Sequence, residues 1–154
     1  MGEVRVDYCE AKIGRTVFAR IRPGTDLFEG ITKVLQDKGI ENGWVQMIGS
    51  LEKTSFHYLE PNGSKLGAGY GPAINKGFPV ELVGAMGLIC NGGLHIHGSM
   101  CGDDGVFYGG HLNAGECPSL ATIEVMIVEV LGGNFERAYD PDADMVQFHP
   151  YETE

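Results

Sequence analysis

The sequence predicts an α+β domain, a largely antiparallel β-sheet with one main flanking helix. Three observations lead there. Segments of period-two alternation recur along most of the chain, and glycine and proline punctuate them. One window, about residues 26–38, carries a helical period instead. No internal repeat or linker interrupts the 154 residues, a length that suits a single domain. At that size folding buries roughly 70% of the extended chain's surface, so a core forms without a disulfide or metal staple.

Taken in order, Val4-Arg5-Val6-Asp7-Tyr8 alternates like an opening strand, and Thr16 to Arg22 alternates again until Pro23-Gly24 ends it. In the helix, Asp26 with Glu29 resembles a capping box, with aspartate in place of serine or threonine. Leu27, Phe28, Ile31, Val34 and Leu35 share one face, and Gly39 is a natural stop. Strands are expected at Gly43–Gly49 and Thr54–Leu59, followed by a turn at Pro61-Asn62-Gly63-Ser64. The glycine-rich stretch from Gly67 to Gly77 has no period and reads as a loop, either mobile or at an interface. Strands resume at Val80–Gly87, Gly93–Met100, Val106–Leu112 and Leu120–Leu131. The tail from Tyr139 to Glu154 carries five acids and no base and reads as a solvated edge.

Composition narrows the function classes. With 21 acidic against 11 basic residues the formal charge is −10, which disfavours general affinity for nucleic acid or an anionic membrane. No apolar run approaches the roughly 18 residues of a membrane span. The first residues lack the pattern of a signal peptide or a myristoylation site. Cys9, Cys90, Cys101 and Cys117 form no C-x-x-C pair and no secreted framework, so cytoplasm is the default reading.

The sharp chemical feature is a histidine hairpin. In Leu94-His95-Ile96-His97-Gly98-Ser99-Met100, the apolar Leu94, Ile96 and Met100 take one face, and His95, His97 and Ser99 take the other. Residues two apart on a strand sit about 6.5–7 Å apart on one side, close enough for two imidazoles to converge on an ion. The turn decides whether His111 joins them. A two-residue turn at Asp104-Gly105 pairs His97 with Leu112 and sends His111 to the opposite face. A three-residue loop, Asp103-Asp104-Gly105, with Gly105 left-handed in a G1 bulge, pairs His97 with His111. A one-residue slip inverts every side chain, and the second register alone puts Leu94, Ile96, Met100, Tyr108 and Leu112 on one face. All three histidines then share the other face. Three neutral imidazoles are the ligand set of an open zinc or iron-type site, with water in the remaining position. The plainer alternative makes them polar residues on a solvent face or satisfied interior histidines. Cupin barrels also carry H-x-H on a strand, but they expect a glutamate soon after it, where this chain has Cys101 and Gly102. His57 and His149 read as ordinary surface residues, and Cys101 and Cys117 as small buried hydrophobes.

His95-Ile96-His97, the Asp-Gly turn and Gly109-Gly110-His111-Leu112 resemble the prokaryotic form of the plants-and-prokaryotes conserved (PPC) domain. Arg22-Pro23-Gly24 before the helix, Pro79-Val80-Glu81-Leu82, Glu124-Val125 and Phe135-Glu136-Arg137-Ala138-Tyr139-Asp140 also fit. The resemblance spans about residues 15–148 and implies one domain across residues 1–154. It further implies an antiparallel sheet with a flanking helix assembled as a homotrimer, and His95, His97 and His111 as a metal set, usually assigned to zinc. Family names often call such proteins DNA-binding, but in plants separate AT-hook segments do the binding, and this chain has no Arg-Gly-Arg-type hook and no basic tail. Two functions follow as expectations, beside a third reading, a purely structural assembly domain that would leave the histidines empty. One is a trimeric metal-binding protein, an enzyme or small-ligand binder whose reaction the sequence does not name. The other is a regulatory module for DNA or a DNA-bound partner. Glu124 either faces the histidines as a supporting partner or acid/base, or pairs with Arg137; Glu81 reads as structural, at a subunit contact.

Overall fold

The structure, a computed structural model, describes residues 2–103 and 105–152. Its main element is an eight-stranded sheet, antiparallel throughout, with strand order β1-β10-β2-β7-β8-β9-β3-β6. In chain order these strands are β1 (Lys12–Ile21), β2 (Gly43–Leu51), β3 (Thr54–His57), β6 (Ile74–Lys76), β7 (Val80–Cys90), β8 (Gly93–Cys101), β9 (Phe107–Leu112) and β10 (Ser119–Leu131). Two small hairpins complete the set: β4 (Leu59–Pro61) with β5 (Ala68–Tyr70), and β11 (Phe135–Asp140) with β12 (Met145–Pro150).

The helix α1 (Leu27–Lys38) lies where its period places it. Asp26 caps it, Oδ1 accepting from the Phe28 and Glu29 amides at 2.9 and 3.4 Å. Asp26 Oδ2 accepts from the buried Cys117 amide at 2.9 Å, which ties the helix start to the segment entering β10. Gly39 ends the helix in the left-handed region at φ 60°, and the amides of Gly39 and Ile40 return to Gln36 and Leu35. The buried stripe of Leu27, Phe28, Ile31 and Leu35 packs on the inner sheet face, against a core that includes Val45, Leu82, Ile96, Met100, Ile123 and Ile127. Because strands alternate, the residues between these core positions form the outer face.

Three expectations change. Val4–Tyr8 forms no strand. The ladder begins at Lys12 opposite Leu131, the last residue of β10, so β10 offers the earlier residues no strand to pair with, and Val4, Val6 and Tyr8 stay exposed. The stretch from Gly67 to Gly77 is not wholly loop, because β5 and β6 return along β4 and β3 as three-residue strands too short to show alternation. The acidic tail is not merely a solvated edge. With the residues before it, it forms the β11–β12 hairpin, held by Phe135 against Phe148 with ring centroids 5.3 Å apart. No helix among the described residues is long and apolar enough to cross a membrane.

Candidate metal centre

The β8–β9 hairpin takes the G1-bulged register. His97 pairs with His111, Gly98 with Gly110, Ser99 with Gly109 and Met100 with Tyr108. Gly105 is left-handed at φ 71°; its amide reaches Gly102 O at 3.1 Å, and the Gly102 amide reaches Val106 O at 3.3 Å. Asp104 lies outside the described residues. Ile96, Met100 and Leu112 are buried on the inner face, with Leu94 and Tyr108 packed beside them. That burial drives the three histidines outward together.

Their rings converge. The centroids of His95–His97, His95–His111 and His97–His111 are 5.0, 4.9 and 5.3 Å apart, and one ligating atom from each lies within 4.8 Å of the other two. His95 Nε2 and His97 Nε2 are 3.1 Å apart. Two nitrogens on one tetrahedral zinc, each about 2.0–2.1 Å from it, stand about 3.3 Å from each other, so this pair is already spaced to share an ion. Burial, followed by the Arg137 charge, lowers the His95 pKa from the ordinary imidazole value to about 4. Burial, followed by the neighbouring His97, also lowers His111. Both are therefore neutral near pH 7, the form that donates a lone pair to a metal. A hollow of about 440 Å³ opens beside His97, lined by Gly84, Met86, Ser99, Gly109 and Gly110 among others.

Three further residues reach this cluster that the sequence did not single out for it. His57 is not an isolated surface residue: β3 pairs with β9, so His57 stands directly across from His111, in one row with His97. Its Nδ1 donates to Gly71 O at 2.8 Å, holding the β5–β6 connection against the site. Tyr70 places its hydroxyl 3.5 Å from His111 Nδ1. From β11, Arg137 Nη1 donates to His95 Nδ1 at 3.2 Å, and Nη2 to Val146 O at 3.5 Å. Alternation around Phe56 could have pointed His57 outward, but no local pattern names its neighbour.

Glu124 fits neither of its expected roles. It lies exposed on β10 across from Arg20 and Ile48, with β2 and β7 between β10 and the histidine strand β8. Three strand spacings make that about 14 Å. It lines instead a cleft of about 620 Å³ with Phe18, Ile48 and Met126. Glu81 is exposed, opposite Ser50 and Cys101. Cys117 is buried as expected and Cys101 only partly so, and neither belongs to the histidine group. His149 sits apart on β12, across from Glu136.

Fold and site together define a class: an antiparallel-sheet domain with a three-histidine cluster on the outer face of one hairpin. The family model of the Plants and Prokaryotes Conserved (PCC) domain, the family also abbreviated PPC, matches residues 8–131, and the chain belongs to this family. Its structure is similar to that of a metal-containing protein from Archaeoglobus fulgidus, 26% identical, with a TM-score of 0.77 over 94% of this chain and 99% of that one. It is also similar to a PPC protein from Pyrococcus horikoshii, 23% identical, with a TM-score of 0.74 over 90% of this chain and 94% of that one. In sequence it is 24% identical over 131 residues, 84% of the chain, to the bifunctional protein GlmU of a Synechococcus strain. There it spans 19% of the relative's length.

Proposed function

We propose that this chain holds one divalent metal, zinc, on His95, His97 and His111, with a coordination position left open for a small ligand or substrate. The observation that carries the proposal is the 4.8 Å convergence of three imidazole donors on one hairpin. The donor set of three nitrogens with no thiolate and no carboxylate suits an open zinc site. The Archaeoglobus relative of the same fold is described as metal-containing, which supports the reading. Elemental analysis of untagged protein after dialysis against a weak chelator tests it. Wild type is expected to retain about one zinc per chain and His97→Ala to lose most of it; equal metal content in the two refutes the assignment.

The proposed assembly is a cytoplasmic homotrimer. Phe18 and Ile48, 78% and 55% exposed, and Val83 and Met86 stand on the outer face of β1, β2 and β7, an apolar surface that a monomer would leave in water. Sedimentation of the wild type at micromolar concentration is expected to give a trimer mass. The rival reading, a module that binds DNA, must contend with the −10 charge. A mobility-shift titration showing sub-micromolar duplex binding at about 150 mM salt would favour it.

A further inference from the structure

Arg137 is an unusual neighbour for a metal site. Cations normally repel one another, yet its guanidinium is bonded to His95 Nδ1 and to a carbonyl. Among the described residues no carboxylate forms an ion pair with it, although the chain has 21 acids. Of the other arginines, Arg5 pairs with Asp142 at 2.7 Å and Arg15 with Glu129 at 2.6 Å, whereas Arg20 bonds Thr122 Oγ1 and Ala121 O. On the other flank stands Tyr70, whose hydroxyl is another donor. Among the described residues, the charged groups that bear on His95 and His111 are Arg137 and other histidines, with no carboxylate among them.

A divalent ion on three neutral imidazoles beside a guanidinium would concentrate three positive charges with no local counter-charge among the described residues. An anionic oxygen ligand supplies that counter-charge where water cannot. An imidazole that ligates through Nε2 keeps its proton on Nδ1 and cannot accept from a guanidinium. A metal held on His95 Nε2 would therefore turn Arg137 away from His95 and free its donors for the next acceptor at the site.

Resting on the metal reading above, we infer that Arg137 anchors a small monocarboxylate bound at the open position of the metal. The planar guanidinium fork matches a carboxylate, and one guanidinium matches one negative charge. The strongly acidic surface opposes multiply charged phosphates.

The test uses full-length protein loaded with cobalt(II), whose visible absorption reports the metal's ligands. Acetate, inorganic phosphate and neutral acetamide are titrated at constant ionic strength, and metal content is measured in parallel. Acetate is expected to shift the cobalt bands saturably and acetamide to leave them unchanged. Arg137→Gln should bind acetate about 10-fold more weakly at full cobalt occupancy, and Arg137→Lys should recover part of the loss. Equal acetate affinity in wild type and Arg137→Gln, with cobalt fully bound in both, overturns the anchor while the metal site stands. Phosphate binding tighter than acetate overturns the carboxylate assignment. Failure of wild type to bind cobalt overturns the metal reading, and the anchor with it.

Discussion

Replacing Gly109 with alanine is expected to damage the fold and the metal site together. A Cβ at Gly109 would stand 2.1 Å from Gly98 O, 3.0 Å from Gly98 C and 3.1 Å from Ser99 Cα, all main-chain atoms of the facing strand. A carbon and an oxygen need more than 3 Å, so β8 must retreat by about 1 Å. A ladder hydrogen bond of about 2.9 Å lengthened by that much is lost. Losing two such bonds, with loosened packing of Met100 and Tyr108 beneath, costs about 2–4 kcal/mol. The His97–His111 pair lies two residues along the same ladder. Metal ligands tolerate displacements of about 0.2 Å, so zinc affinity should fall by about 10- to 100-fold. Gly105→Ala is the control. Gly105 is left-handed at φ 71° with no atom near its added Cβ, so the change should cost about 1 kcal/mol of backbone strain and leave zinc affinity unchanged. Chemical denaturation of the metal-free proteins and zinc competition against a chromophoric chelator read the two effects. Gly109→Ala that stays within about 0.5 kcal/mol of wild type with unchanged zinc affinity would refute the reasoning.

Other perturbations separate the neighbouring residues. His57→Ala and His149→Ala should retain zinc in elemental analysis, because neither belongs to the convergent set; His57→Ala should instead raise proteolysis between Tyr70 and Ile74, where its bond to Gly71 O is lost. In the metal-free protein His95 titrates at about 4, below the unfolded imidazole value of about 6.5, so the unfolded chain binds the extra proton between those values. Stability should therefore fall as pH drops from about 6.5 to about 4, and His95→Gln should flatten that slope in denaturant titrations; an unchanged slope would count against the burial of His95. Asp26→Ala removes the helix cap and the tie to the Cys117 amide, and should cost about 2–3 kcal/mol in the same assay, against about 1 kcal/mol for a cap alone.

Local chemistry made much of this molecule legible from its residues. The helix from Leu27 to Lys38 follows from its apolar spacing, Asp26 and Gly39, all within one segment. The histidine hairpin was legible too, because a period of two leaves two possible registers and the burial of Ile96, Met100 and Leu112 permits one. Alternation states which face a residue takes but not which strand lies beside it. That choice is made by crossovers between distant segments, so the sequence alone could not bring β3 beside β9 and His57 beside His111. Nor could it turn the tail into a hairpin that carries Arg137 to His95, or leave Val4–Tyr8 without a partner strand beyond the end of β10. The three imidazoles come from one local hairpin, whereas the residues that flank them depend on long-range pairing, which only the packed sheet decides.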